Sequence, residues 1–108
     1  MPLSHKNVLS GKWQEFSLAQ QLGNIGSEYM RFFSAYKIDD KKSAENSSDR
    51  FLELLDATIQ DKRWEGRLKE FLRLREVFCS ISFDNNIYGT KPEILEQYFL
   101  PFAIMARK

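Results

Sequence analysis

The chain has few of the residues on which disulfide-stapled, metal-bound or triad-based folds depend. Its 108 residues include one cysteine, Cys79, and one histidine, His5. A single cysteine cannot close an internal disulfide, which favours a reducing compartment, so we expect a cytoplasmic protein. Because the histidine lies in a polar segment near the amino terminus, neither a histidine-centred metal site nor a catalytic triad is expected.

Long apolar runs and a strong net charge are also missing. No stretch approaches the roughly 20 apolar residues that span a bilayer, and the amino terminus lacks the apolar core of a secretory signal. We therefore expect no membrane partner. With 16 basic and 15 acidic side chains the formal net charge is +1, so no global field indicates nucleic acid or anionic lipid. Any such partner would have to bind a local patch.

Aromatic residues, by contrast, are plentiful for a chain of single-domain length. Nine Phe, four Tyr and two Trp supply large areas to bury, and apolar residues recur at helical spacing in successive segments. We predict an all-α fold, a four-helix antiparallel up-and-down bundle. Residues 1–12 are predicted to be a flexible leader and residues 13–108 a single domain.

The first predicted helix, residues 17–36, is the longest amphipathic segment. Its apolar arc consists of Leu18, Leu22, Ile25, Tyr29, Phe33 and Tyr36. Gly23 and Gly26 lie beside that arc, although each costs a helix about 1 kcal/mol relative to alanine, and we expect them to allow close approach of another helix. The opposite side is either a solvated face or a partner surface. Its polar residues include Gln20, Asn24 and Arg31.

The next boundaries are predicted from charge and capping residues. Residues 37–46 are charged and lack apolar periodicity, so they are predicted to form the main loop. Ser47 or Ser48 then caps the second helix. A short break at residues 61–63 leads to a third helix over residues 64–81, antiparallel to the second. The predicted buried arc of the third helix is Trp64, Leu68, Phe71, Leu72, Phe78 and Cys79.

Arg75 projects from near the middle of that arc. A guanidinium stays charged, so burying it requires an acidic partner. We predict Asp56 as the first candidate, Glu28 as the second and Glu53 as the third. The favoured interpretation is a structural ion pair or an arginine that reaches the surface, and the alternative is a small-molecule or metal site around this cluster.

A local excess of basic residues marks the third helix and the break before it. Acidic residues sit beside them at helical spacing, which favours a solvated face over a phosphate-binding stripe. The aromatic residues point to the other side, unlike those of proteins that stack on nucleic-acid bases. The nucleic-acid candidates are Lys62, Arg63, Arg67, Lys69 and Arg73.

The fourth helix is predicted to follow a turn at residues 83–89. Thr90 and Glu93 have the spacing of a capping box. The predicted buried residues are Ile94, Leu95, Tyr98, Phe99, Phe102, Met105 and Ala106. Leu100 and Ile104 fall on the otherwise polar side, one turn apart, which is typical of a small oligomer contact.

Four segments carry a resemblance to a known family: LAQQLGNIGSE (residues 18–28), ELLDATI (53–59), RWEGRLKEFLRLREV (63–77) and YFLPFA (98–103). They resemble a family of small, uncharacterised helical proteins from prokaryotes. The resemblance covers most of the chain and implies a helical fold without implying an activity.

The chain is also similar, more loosely, to HEPN-type bundles, which often act as RNases or as partners of nucleotidyltransferases. Their signature places a His one to two turns after an Arg on a late helix. No His follows Arg73 or Arg75 here, so the similarity implies at most a non-catalytic relative.

The function predicted from these observations is a non-enzymatic protein–protein interaction module that self-associates as a homodimer. The alternative is a nucleic-acid-linked partner protein of HEPN-like or toxin–antitoxin type that uses the basic face of the third helix. The sequence assigns no catalytic residue, metal ligand or cofactor.

Overall fold

The computed structural model describes residues 11–82 and 91–106, which form the predicted all-α, four-helix antiparallel up-and-down bundle. Its helices are α1 (Leu18–Lys37), α2 (Lys41–Ile59), α3 (Leu68–Ser82) and α4 (Glu93–Ala106). Short 3₁₀-helices at Lys12–Glu15 and Lys62–Arg67 precede α1 and α3. Residues 1–10 of the predicted leader, the predicted turn at 83–89 and the predicted cap Thr90 lie outside the described residues. Within the described ranges, no helix is long and apolar enough to cross a membrane.

The core is built around one aromatic side chain of α1. α1 packs along both α2 and α4, and α3 packs against α2. Tyr29 of α1 is 0% exposed, and its ring centroid lies within 6.1 Å of five phenylalanine rings. These rings belong to Phe32, Phe33, Phe51, Phe78 and Phe99. Because the last three come from α2, α3 and α4, the cluster joins all four helices.

The start of α1 is fixed by a capping box. The Ser17 side chain accepts a hydrogen bond from the backbone N–H of Gln20 at 3.1 Å. The side chain of Gln20 in turn accepts one from the backbone N–H of Ser17 at 2.8 Å. Two N–H groups that a helix end leaves without partners are thereby satisfied, and the predicted start of the first helix is confirmed.

Gly23 and Gly26 lie where α1 and α4 approach each other. A Cβ built on Gly26 would be 2.7 Å from the Cβ of Phe99. One built on Gly23 would be 3.4 Å from the Cβ of Ala106. The predicted close helix packing is confirmed, and α4 is the helix that uses it.

The predicted loop at residues 37–46 is wrong. α2 begins at Lys41, and its cap is Asp40, whose side chain accepts a hydrogen bond from the Ser43 N–H at 3.2 Å. The connection is therefore only residues 38–40, and Ser47 and Ser48 lie inside the helix. Few side chains in the first turns of α2 pack against the core, so no apolar period marks them as helical.

The predicted buried arc of the third helix is partly wrong. Residues 62–67 are 3₁₀-helical, and this geometry turns about 120° per residue where an α-helix turns about 100°. This geometry changes the angle of Trp64 relative to α3 but not the relative angles of residues within Leu68–Ser82. In α3 both flanks of Phe71 and Phe78 are apolar, and the core covers the flank with Leu74 and Ile81. Leu68 and Leu72 are 38% and 48% exposed. The core residues of α3 are Phe71, Leu74, Phe78 and Ile81.

Three other predicted core positions are surface positions. On α4, Leu95 and Phe99 are buried as predicted, whereas Ile94 is 53% and Met105 56% exposed. Tyr36, assigned to the apolar arc of the first helix, is 41% exposed. The apolar pattern of α4 extends around the helix, so it does not identify the side that α1 covers.

Candidate functional site

Arg75 pairs with Asp56, the partner that the sequence placed first. The Nε of Arg75 donates to Oδ1 of Asp56 at 2.9 Å, and this hydrogen bond raises the pKa of Arg75. The side chains are 41% and 44% exposed, so Arg75 forms its ion pair at the surface rather than in the core. Neither Glu28 nor Glu53 is among the hydrogen-bond partners of Arg75 within the described residues. Glu53 lies partly buried on α2.

Cys79 lies one turn beyond Arg75 and is partly buried. The Nη1 of Arg75 lies 3.9 Å from its sulfur. Burial raises the pKa of the thiol, and the nearby guanidinium only partly offsets that effect. Cys79 is therefore protonated at neutral pH and has the character of a small core residue rather than of a nucleophile.

Glu28 forms a different cluster, at the contact between α1 and α2. Its side chain is 0% exposed. Its Oε1 accepts a hydrogen bond from Nη1 of Arg31 at 3.0 Å, and its Oε2 accepts one from Nε of Arg50 at 3.2 Å. The contact with Arg31 follows from a three-residue spacing on one helix. Arg50 comes from another helix, and no local pattern in the sequence indicates that contact.

Gln21 is at the centre of a buried hydrogen-bond network that the sequence did not reveal. Helical spacing places Gln21 on the polar side of α1, yet it is 0% exposed. Its Oε1 accepts from Thr58 Oγ1 and from Trp64 Nε1, both at 3.0 Å. Its Nε2 donates to the backbone oxygen of Trp13 at 2.9 Å and to Asp61 Oδ2 at 3.3 Å. The network joins the segment before α1 to the break between α2 and α3.

Asp61 connects this network to the surface. It accepts hydrogen bonds from Nε of Arg63 at 3.1 Å and from Nη2 at 2.7 Å. The same Nη2 donates to the backbone oxygen of Phe16 at 2.9 Å. Hydrogen bonding from Arg63 lowers the pKa of Asp61. Arg63, a nucleic-acid candidate, is thus held in the fold by two groups.

Glu70 of α3 links this helix to Tyr98 of α4 and to Arg67 in the preceding 3₁₀-helix. It accepts hydrogen bonds from Arg67 at 3.0 and 3.2 Å and another from the hydroxyl of Tyr98. Burial alone would raise the pKa of Glu70, but the bonds from Arg67 and Tyr98 lower it. The pKa of Tyr98 is raised, mainly by burial and also by its bond to Glu70.

The predicted basic face, which extends over α3 and the 3₁₀-helix before it, is largely neutralised. Its arginines lie beside acidic residues, since Arg73 is 3.6 Å from Glu76 and the other two bind Asp61 and Glu70 as described. Lys62 and Lys69 are exposed, and within the described ranges neither makes an ion pair. The face therefore presents two uncompensated charges rather than five.

The polar side of α1 also serves the fold. Gln20 closes the capping box, and the Nδ2 of Asn24 donates to the backbone oxygen of Gln20 at 2.8 Å. Arg31 is bound to Glu28 but remains 45% exposed. Within the described residues, Arg31 uses one of its five N–H donors in that bond.

The outer face of α4 is the main exposed apolar surface. It combines the two predicted contact residues with two others that had been assigned to the core. Their exposed fractions are 53% for Ile94, 59% for Leu100, 49% for Ile104 and 56% for Met105. Together they form a patch along one helix that no described residue covers.

A cleft of about 680 Å³ opens between the end of α1, the start of α2 and the end of α3. It combines an apolar lining with several carboxylates and contains none of the predicted site residues. Lining residues include Phe32, Tyr36, Ala44, Asp39, Asp40, Glu45 and Asp49. Among the described residues, no group of three or more Asp, Glu, His or Cys is placed to hold a metal ion.

Comparison with known proteins identifies no relative. No protein-family model matches the chain, and neither a curated protein nor a solved structure matches it. The resemblance to a prokaryotic helical family stays an expectation, and function has to be proposed from the surfaces described above.

Proposed function

We propose that the protein is a cytoplasmic, non-enzymatic protein–protein interaction module that pairs with a second copy of itself through the outer face of α4. The observation that carries this proposal is that α4 consists mostly of apolar residues although the other helices cover only part of its surface. The helix carries apolar residues on most of its sides, whereas α1 covers one side. Further contacts come from Phe51 to Phe99, from Glu70 to Tyr98 and from Arg67 to Phe102. Helices with this pattern are normally buried on all sides.

The energetics favour covering this surface. Complete burial of a large aliphatic side chain is worth about 1.5–3 kcal/mol, so half-exposed Leu100 and Ile104 each retain roughly half of that gain. A twofold dimer buries the same residues in both copies and so doubles the effect. A net charge of +1 adds little repulsion between two copies.

Sedimentation velocity at increasing concentration tests the proposal. We expect a dimer at tens of micromolar and a monomer for the double variant Leu100→Glu, Ile104→Glu. Leu72→Glu is the matched control, because Leu72 is 48% exposed but lies on α3, on a different side from the residues that meet α4. A monomeric wild type, or equal disruption by Leu72→Glu, would contradict self-association through α4.

The second candidate is a nucleic-acid-linked partner of HEPN-like or toxin–antitoxin type. It is supported by Lys62 and Lys69, which make no ion pair with any residue that the structure describes, and is weakened by the acids that neutralise the neighbouring arginines. Phosphate contacts release counterions, so binding must weaken with salt. Electrophoretic mobility on RNA and DNA at low and moderate salt, with Lys62→Ala, Lys69→Ala as the comparison, decides this alternative.

A further inference from the structure

The junction of α1 and α2 holds two arginines on one buried carboxylate. Glu28 is 0% exposed, while the side chains of Arg31 and Arg50 are 45% and 47% exposed. Each arginine bonds a different carboxylate oxygen, at 3.0 and 3.2 Å. Glu28 thereby fixes two guanidinium groups side by side at the surface.

Both guanidinium groups keep most of their hydrogen-bonding capacity. An arginine has five N–H donors, and within the described residues Arg31 and Arg50 each use one. By comparison, Arg63 engages both Asp61 and the backbone of Phe16, and Arg67 makes two bonds to Glu70. The remaining donors of Arg31 and Arg50 are therefore available to a further acceptor.

Stability alone does not explain this arrangement. Removing a carboxylate from water costs several kcal/mol, and an apolar residue of similar volume in such a place is often neutral or stabilising. Glu28 instead holds the two guanidinium groups in place. An arginine already held at one nitrogen loses less conformational entropy when its other nitrogens bind a ligand.

The local charge determines which ligand fits. Two guanidinium groups and one carboxylate leave a net charge of +1, which one monoanion balances. Two further acids lie nearby: Asp49 is adjacent to Arg50 in sequence, and Asp40, the cap of α2, lines a surface cleft with Arg31. Glu53, one turn beyond Arg50, has an interaction of its own. A phosphate dianion would add an unbalanced negative charge next to buried Glu28. Polynucleotides would need a longer row of cations than these two.

We propose that Arg31 and Arg50, positioned by Glu28, form a binding site for a carboxylate group of an acidic partner protein. The planar fork of arginine matches the two oxygens of a carboxylate, and clusters of arginine recognise acidic segments in other interaction modules. This site lies on the α1–α2 side of the bundle and does not depend on pairing through α4. The protein would thus carry one apolar and one cationic interaction surface.

Titration of the full-length chain with hexaglutamate peptide tests the site. Nitrogen-15 NMR follows the side-chain Nε–H resonances of Arg31 and Arg50, which we expect to shift and saturate. Arg31→Lys and Arg50→Lys keep the charge beside Glu28, so the fold is preserved, but they lose the fork. Each is expected to weaken binding at least about fivefold, the equivalent of one lost hydrogen bond. Arg73→Lys, at an exposed arginine paired with Glu76, is the matched control and should bind as wild type does.

Three results would overturn the proposal: no saturable shift, an Arg73→Lys variant weakened as much as the other two, or tighter binding of pyrophosphate than of hexaglutamate. The last would assign the site to phosphate instead. Because sedimentation of the same samples reports self-association separately, a failed carboxylate site and a failed α4 dimer are distinguishable.

Discussion

Phe99 of α4 lies directly on the backbone of Gly26 of α1. A Cβ built on Gly26 would be 2.7 Å from the Cβ of Phe99 and 3.0 Å from its Cγ. These atoms form the root of the phenylalanine side chain, so rotating the ring cannot clear the space. Any side chain at Gly26 therefore displaces α4 itself, and with it a ring of the aromatic core around Tyr29.

Gly26→Ala should destabilise the protein although alanine favours helices. The propensity gain is about 1 kcal/mol, whereas overpacking of this kind costs about 1–3 kcal/mol and here moves a helix. Gly23→Ala is the control, since its Cβ would meet Ala106 at an ordinary 3.4 Å and should be neutral or slightly stabilising. Urea unfolding measures both, and equal stability of the two variants would contradict the proposed packing.

Local sequence patterns predicted α1 well because its determinants are local. The apolar arc and the two glycines lie within one segment, so their spacing alone indicates the helix and the side that packs closely. The Arg75–Asp56 pair could be predicted in the same way, since a charged residue near a buried arc requires a partner on a neighbouring helix.

Other features depend on contacts that no local spacing encodes. Asp40 begins α2 within a charged segment that barely touches the core, so periodicity gave no sign of a helix there. Gln21 is buried because Trp13, Trp64 and Thr58 converge on it from distant parts of the chain. Arg50 reaches Glu28 across a helix contact, and nothing adjacent to it in sequence indicates this.

Thr58→Val should show how much the buried network contributes. Valine has nearly the shape of threonine, but it leaves the indole N–H of Trp13 without its acceptor and removes one of the two hydrogen bonds that Gln21 Oε1 accepts, the other being from Trp64. An unsatisfied buried donor costs about 1–3 kcal/mol and a lost hydrogen bond about 1 kcal/mol, so we expect a loss of at least about 2 kcal/mol in the free energy of unfolding. Thr58→Ser keeps the hydroxyl and should lose about 1 kcal/mol, the value of one buried methyl group. A valine variant as stable as the serine variant would contradict this role.

Asp61 should make the protein sensitive to acid. Its pKa is lowered in the folded state, so its contribution to stability is complete above the ordinary aspartate value of about 4 and is lost as the pH falls through the folded value. Asp61→Asn removes this titration. The difference in unfolding free energy between wild type and variant should therefore shrink from about pH 5 downward. Urea unfolding across this range measures it, and a constant difference would rule out the coupling between Asp61 and Arg63.

Tyr98 should produce the opposite dependence at alkaline pH. Burial, together with Glu70, raises its pKa, so its contribution is present below the ordinary tyrosine value of about 10 and is lost as the pH rises above it. Tyr98→Phe should be less stable at neutral pH by about 1 kcal/mol, because the bond to Glu70 is lost, and should fall less steeply above pH 10. Some alkaline sensitivity should persist in the variant, because burial also raises the pKa of Tyr29. Parallel slopes for wild type and variant would contradict the assignment.

The two arginines on Glu28 should act non-additively on stability. Replacing Arg31 or Arg50 alone by Met leaves the buried carboxylate one partner and should cost about 1 kcal/mol. Replacing both leaves an uncompensated buried charge, for which about 3–5 kcal/mol is expected, well beyond the sum of the single changes. Adding Glu28→Leu to the double variant removes that charge and should restore most of the loss. Thermal and urea unfolding of the wild type, the two single variants, the double variant and the triple variant measures these differences in stability. Additive losses, or a triple variant no more stable than the double, would show that Glu28 is not held as a buried anion by these two side chains.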